Sequence, residues 1–121
     1  MKINIRNAVI EDCPRIKPLQ KEIADLHHEG RPDLFKTEAR CNHSTYIDFD
    51  CFYLDDICVL KAFRRNGIGR MLFDRCKTLA GEKHCKMVEL GVWAFNTEAI
   101  AFYKSCGMTD RIRRMEYRLE D

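Results

Sequence analysis

This sequence has little that would mark a membrane, secreted or nucleic-acid-binding protein. No run of apolar residues approaches the roughly 20 needed to cross a bilayer as a helix, and Met1-Lys2-Ile3-Asn4-Ile5-Arg6 lacks the apolar core of a signal peptide. A cytoplasmic location without a membrane partner is therefore expected. Neither charge sign dominates: 21 Lys and Arg stand against 19 Asp and Glu, a formal charge of +2. That balance, with no readout motif, disfavours nucleic acid as a partner. Proline and glycine are few, at three and six, and no linker, repeat or low-complexity stretch divides the chain, so residues 1–121 are read as one domain. Neither a C-x-x-C nor an H-E-x-x-H is present, and no Cys stands at zinc-finger spacing from His27, His28, His43 or His84. No metal is expected.

What is present begins with size and thiols. At 121 residues and 45% hydrophobic content, the chain can bury one core, near the lower size at which a domain holds without staples. Its seven cysteines, Cys13, Cys41, Cys51, Cys58, Cys76, Cys85 and Cys106, are odd in number and irregularly spaced. They read as reduced thiols acting as small hydrophobes rather than as a disulfide framework.

The most informative stretch runs from Val59 through Arg64-Arg65-Asn66-Gly67-Ile68-Gly69-Arg70. It is a strand end, a basic glycine-bearing turn and a helix start. Gly67 and Gly69 remove side chains that would hold a diphosphate off the backbone. The N–H groups of a helix's first turn have no intrahelical acceptor, and the helix dipole adds about half a positive charge there. Arg64, Arg65 and Arg70 supply full charges, so the turn suits a nucleotide-type anion. The P-loop pattern G-x-x-x-x-G-K-[ST] is absent, and so is the third glycine of a dinucleotide fingerprint.

Arg64-x-x-Gly67-x-Gly69 resembles the acetyl-CoA-binding motif [Q/R]-x-x-G-x-[G/A] of the GNAT superfamily of N-acetyltransferases. Ile57-Cys58-Val59 resembles the end of that family's fourth strand, and Val88-Glu89-Leu90-Gly91-Val92 its fifth. Asn96-Thr97-Glu98-Ala99-Ile100-Ala101-Phe102-Tyr103 with Cys106-Gly107-Met108 is similar to the second signature, N-x-x-A-[IL]-x-x-Y followed by G-[FM]. The resemblance is close over residues 53–121 and looser over 1–35. It implies an α/β fold (α+β in some schemes), with a mixed, mainly antiparallel sheet, a central parallel strand pair splayed for CoA, and helices on both faces. It also implies acetyl-CoA as cosubstrate and an amine as acceptor, with a homodimer as a further assembly to test. A binding-only acyl-CoA regulatory domain is the alternative.

The periodicity fits that frame. Residues 2–9 alternate as a first strand. Glu11-Asp12 before Pro14 opens a helix bearing Ile16, Leu19, Ile23 and Leu26 on one stripe, with Pro18 a kink and Gly30 and Pro32 its end. Residues 67–81 read as a second helix, with Ile68, Leu72, Cys76 and Leu79 inward and Gly81 as its stop. Lying between two apolar strands, it predicts a right-handed βαβ unit. Asn96 or Thr97 caps a last helix closing at Gly107, and residues 111–119 alternate as a final strand. Only residues 29–45 separate the first helix from the fourth strand. A helical turn and two strands of about 5–6 residues each do not fit there, so the second and third strands are expected to be missing or omitted. An omission would show as a long Cα step between Lys36 and Ser44.

Acetyl transfer to an amine needs a base, an oxyanion donor and a proton for the departing thiolate. If residues 47–59 form one regular strand, Asp55 is the only charge on its odd-numbered face. Tyr53-Leu54-Asp55-Asp56 also resembles the segment holding a carboxylate in polyamine acetyltransferases of the superfamily. A bulge would hand the role to Asp56. In some relatives the acid stands on the fifth strand instead, and Gly91 occupies the matching position here, which closes that route. The resemblance further implies Tyr103 as proton donor to the thiolate, and backbone groups of Ile57, Cys58 and Val59 as holders of the acetyl carbonyl and pantetheine. It places the pyrophosphate on the amides of Arg65, Asn66, Gly67, Ile68, Gly69 and Arg70, and Asn96 against the pantetheine arm. Asp48, Asp50, Asp55 and Asp56 would attract a cationic acceptor.

Overall fold

The computed structural model describes residues 2–32, 46–48 and 51–119. The chain break expected between Lys36 and Ser44 lies outside them, as do Cys41, His43 and Asp50. Helix α1 (Cys13–Gly30) begins where its sequence signals place it, with Pro14 in the first turn, where a missing N–H leaves no bond unmade. A 3-10 turn over Ile10–Asp12 leads into it. The Asp12 carboxylate accepts two bonds from the Arg6 guanidinium, at 2.7 and 2.8 Å, and one from Val9 N–H at 2.9 Å. Those bonds, Arg6's first, hold the Asp12 carboxyl well below the usual carboxylate range. Pro18 lies within the helix without ending it. Ala24, which the apolar stripe omitted, is buried at 5% exposure, whereas Leu26 is 40% exposed and leaves the stripe.

Strands β1 (Tyr46–Asp48) and β2 (Cys51–Tyr53) pair antiparallel, with Asp48 opposite Cys51. This corrects the reading of 47–59 as one strand, because the chain reverses between Asp48 and Cys51. Acids are depleted from strands and favoured in turns, and Asp48 stands at that reversal. Part of the antiparallel half that the length argument left out is thus present. β2 pairs parallel with β3 (Met87–Glu89), in the register Cys51–Met87, Phe52–Val88 and Tyr53–Glu89, so the sheet order is β1-β2-β3.

The crossover between the parallel strands contains α2 (Ile68–Glu82). Its Phe73 and Ala80, seven residues apart on one face, join Phe52, Leu54 and Ala24 in the core. Ile68, Leu72, Cys76 and Leu79 flank them, half-buried. Gly81 is not the stop: it lies inside α2, and the left-handed residue that follows the helix is His84, at φ 59°. Helix α3 (Thr97–Ser105) is capped at Asn96, whose Oδ1 accepts Ala99 N–H at 3.2 Å. It closes through Gly107 at φ 97°, with Gly107 N–H bonded to Lys104 O at 3.0 Å and Met108 N–H to Tyr103 O at 3.1 Å. That pair of bonds is the Schellman closure for which glycine is suited.

Two expected strands enter no ladder among the described residues. In the first, Ile3 and Ile5 are half-buried between exposed Lys2, Asn4 and Arg6, which keeps the period of two without a hydrogen-bonded neighbour. Residues 109–119 are exposed throughout. A strand needs an available sheet edge as well as an alternating pattern, and alternation alone does not supply one. No helix among the described residues is long and apolar enough to cross a membrane.

Candidate active site

The parallel ladder ends almost as soon as it forms. After Tyr53–Glu89 comes one further bond, Leu54 N–H to Glu89 O at 2.8 Å. Beyond it, residues 55–59 and 90–93 run on without ladder pairing. Backbone groups outside a ladder are open to a ligand that carries amides of its own. Ile57 and Cys58 lie on this stretch. The carbonyl of Val59 is committed elsewhere, accepting Arg64 Nε–H at 2.8 Å.

Next along the chain is the glycine turn. Arg65 and Gly67 both have left-handed backbone, at φ 67° and 75°, and such turns make anion-binding concavities. A Cβ on Gly67 would meet nothing within 4 Å, so the glycine meets the demand of φ and leaves open space beside the backbone. No side chain caps α2. Its first intrahelical bond is Met71 N–H to Gly67 O at 3.0 Å, so the N–H groups of Ile68, Gly69 and Arg70 precede the helical ladder. Asn66 braces the turn, its Nδ2 donating to Phe63 O at 3.0 Å and Arg64 O at 3.2 Å.

Two parts of this turn differ from their sequence-based reading. Gly69 serves helix packing, since a Cβ there would come within 3.2 Å of the Phe102 ring, so the missing side chain lets α2 approach α3. Arg64 turns back toward α1, where its Nη2 meets Glu22 Oε2 at 3.2 Å, while Arg70 reaches Asp74 at 3.3 Å and Ser105 O at 3.4 Å. Sequence reasoning did not single out Glu22. The available signal was its place on α1 three residues after Leu19, an acid beside the apolar stripe.

Tyr103 on α3 is half-buried, and its hydroxyl is pushed up to about 12, first by burial and then by the charge of Asp56, with Cys106 and Cys76 adding to it. Asp56 is therefore the carboxylate that acts on Tyr103. Its side follows from the packing: Phe52 and Leu54 are buried, and Leu54 and Asp56, but not Asp55, line one cavity with Leu72 and Cys76 of α2. Asp56 Oδ2 is shielded from solvent. It borders a cavity of about 760 Å³, walled by the 5–8 segment, Ile16, Leu54, Cys58, Leu72 and Cys76. On the opposite face the Tyr53 hydroxyl lies 3.3 Å from where a Cβ of Gly91 would be, so a larger residue there would crowd it. Glu89, two residues earlier, pairs with Arg111 and accepts from Cys51 Sγ at 3.2 Å. Asn96 Oδ1 is spent on the α3 cap rather than turned wholly to a ligand.

Cys58 reports how this neighbourhood treats a thiol. Burial, followed by Glu22 and Asp56, raises it to about 11. Six described cysteines are unbridged, with Cys13 exposed and the others half-buried.

A family model described as the acetyltransferase (GNAT) family matches residues 31–108, which include the splay, the glycine turn and α3 through Met108. The chain belongs to the GNAT acetyltransferase family. Among curated relatives, N-alpha-acetyltransferase 60 of Danio rerio is 36% identical over 62 residues, covering 49% of this chain and 26% of that protein. Thialysine N-epsilon-acetyltransferase of Sus scrofa is 34% identical over 58 residues, covering 48% of this chain and 34% of that protein. The matches thus span about a quarter to a third of these relatives' length. Two solved structures share the fold. A mutant of the BH1408 protein from Bacillus halodurans has a TM-score of 0.86 at 22% identity, covering 98% of this chain and 100% of that one. The aminoglycoside N-acetyltransferase AAC(6')-Iy, in complex with CoA, has a TM-score of 0.67 at 19% identity, with the same coverage of 98% and 100%. The mixed sheet with its parallel pair and flanking helices is the GNAT fold expected from the two signatures.

Proposed function

We propose that this protein transfers acetyl from acetyl-CoA to a primary amine of a small molecule or peptide by direct attack. The observation that carries the reading is Asp56 acting on Tyr103, a carboxylate and a neutral phenol brought together beside the point where β2 and β3 part. Family membership and the amine acceptors in the relatives' names, N-alpha, thialysine N-epsilon and aminoglycoside, support it.

In this reading the amides of residues 65–70 hold the pyrophosphate, and backbone groups of Ile57 and Cys58 hold the pantetheine and the acetyl carbonyl. Asp56 takes a proton from the incoming ammonium, so that the nitrogen lone pair can attack the thioester carbon. As the C–S bond breaks, the Tyr103 hydroxyl gives its proton to the sulfur, and the second proton lost by the new amide nitrogen restores the phenol, leaving the one taken by Asp56 for solvent. A phenol at about 12 would be a poor donor to a thiolate of ordinary pKa near 8.5. Burial is the first cause that raises Cys58 in the same neighbourhood, and a CoA thiolate released into a similarly desolvated setting would be more basic than in water, which favours the transfer. Asp55 remains the candidate if the acceptor approaches from the opposite face, and Asp55→Asn compared with Asp56→Asn separates the two. A binding-only acyl-CoA domain would have no use for Asp56 beside Tyr103. The test is a panel of primary amines incubated with acetyl-CoA and read by product mass. A gain of one acetyl group on at least one amine is expected, and hydrolysis of acetyl-CoA without any acetylated amine would reject the reading.

A further inference from the structure

The cavity beside Asp56, at about 760 Å³, falls in the size range of sites that hold small organic ligands. Its wall is of two kinds. Ile5, Ile16, Leu54, Leu72 and Leu79 supply apolar surface from the N-terminal segment, α1, the continuation of β2 and α2. Arg6, Asn7, Asp56 and Arg75 interrupt it with polar groups. Arg6 is already committed, because its two terminal nitrogens donate to Asp12 at 2.7 and 2.8 Å.

Arg75 is placed differently. It follows Leu72 by three residues and precedes Leu79 by four, so the three share one face of α2. It is exposed, which puts its guanidinium where the cavity meets solvent. The acid next to it in the chain, Asp74, is taken by Arg70 at 3.3 Å and Lys77 at 3.4 Å. Arg75 itself joins no ion pair among the described residues, Asp56 included. An anionic and a cationic side chain therefore border one largely apolar cavity without neutralising each other. An occupant with an ammonium at one end, a carboxylate at the other and hydrocarbon between them would satisfy both charges and the apolar wall together. A diamine would bring a like charge to Arg75, and a plain alkylamine would leave the guanidinium to water.

We propose that the acceptor is an amine whose apolar body ends in a carboxylate, bound with its ammonium at Asp56 and its carboxylate at Arg75. The assignment rests on the acetyl-transfer reading of this site and names the class of amine it takes. Arg75 is then a specificity-determining residue, remote from the reacting atoms. After transfer the nitrogen is a neutral amide, so the product keeps only the Arg75 contact, which favours its release.

Three amines with the same six-carbon chain test it: aminohexanoate, hexylamine and diaminohexane, whose far ends are a carboxylate, a methyl group and an ammonium. Each is titrated calorimetrically into the full chain saturated with CoA, and its KM is measured with acetyl-CoA. Because Arg75 is exposed and its pairing screened, aminohexanoate is expected to bind about three- to fivefold more tightly than hexylamine, with diaminohexane weakest. The advantage should shrink as salt is raised. Arg75→Gln should bring aminohexanoate level with hexylamine, and Arg75→Glu should reverse the order so that diaminohexane binds best. A damaged fold would weaken all three amines together and could not produce that reversal. Aminohexanoate binding no more tightly than hexylamine to the parent protein would overturn the proposal, as would an unchanged order in Arg75→Glu. Binding in the expected order without acetylation would reject acetyl transfer and keep the charge-paired site.

Discussion

The Tyr103 hydroxyl is where chemistry and stability meet in one atom. Burial and the Asp56 charge raise it from 10.0 to about 12, so the folded protein keeps this proton where an unfolded chain would lose it. Between those values the unfolded state binds fewer protons, and stability must fall as pH rises. The contribution is present in full below pH 10 and is lost by about pH 12. It is worth up to roughly 3 kcal/mol. Tyr103→Phe should flatten that part of the stability curve, as measured by urea unfolding at a series of alkaline pH values. The same variant should lower kcat by about 10²–10⁴-fold, the usual weight of a positioned proton donor, while the Kd for CoA changes little. A variant with wild-type kcat would remove Tyr103 from the mechanism.

At the scale of elements, the turn from 64 to 70 and the start of α2 do two different jobs with two glycines. Gly67 is held at φ 75° with open space around it, and Gly69 lies against Phe102 of α3. Gly67→Leu should therefore cost about 1–2 kcal/mol through left-handed strain and also obstruct the anion site, reducing CoA affinity beyond any loss of fold. Gly69→Leu should act first on stability, losing about 1–3 kcal/mol as Phe102 is displaced. Calorimetric titration with CoA, set beside urea midpoints for the two variants, distinguishes them. If Gly69→Leu leaves the midpoint unchanged, the packing role assigned to it is wrong. The same turn shows how much of the site could be read from sequence. The left-handed backbone at Gly67 and the helix start that follows it are local, so the motif revealed them. That Arg64 turns to Glu22 and Val59 depends on where α1 packs, which no local pattern encodes.

For the whole molecule, the described core is small, with Ala24, Phe52, Leu54, Phe73 and Ala80 its buried apolar members. A protein with so slight a core should respond measurably to any ligand that binds only its folded form. CoA at 100 times its Kd is expected to add about 2.7 kcal/mol and to raise the Tm accordingly. Differential scanning fluorimetry with CoA up to millimolar concentrations checks this, and the absence of a shift for the parent protein would sink the acetyl-CoA reading.

Much about this protein was determined by the sequence itself: the two signatures and hence the family, the starts of the three helices at Pro14, Gly67 and Asn96, the Gly107 closure, and the parallel strand pair around α2. All of these rest on contacts within a few residues or on backbone conformations that particular side chains favour or forbid. The tertiary structure alone decided the rest. Acid-rich Asp48 proved to stand at a reversal, which broke the 47–59 strand and removed the basis for choosing Asp55 by its face. Among the described residues the alternating segments 2–9 and 111–119 entered no ladder, because pairing requires a neighbour and not only a pattern. Asp56, Tyr103, Cys76 and Cys106 came together from β2's continuation, α2 and α3. Their effect on one another is electrostatic and depends on burial, and burial is a property of the packed chain rather than of any stretch of it.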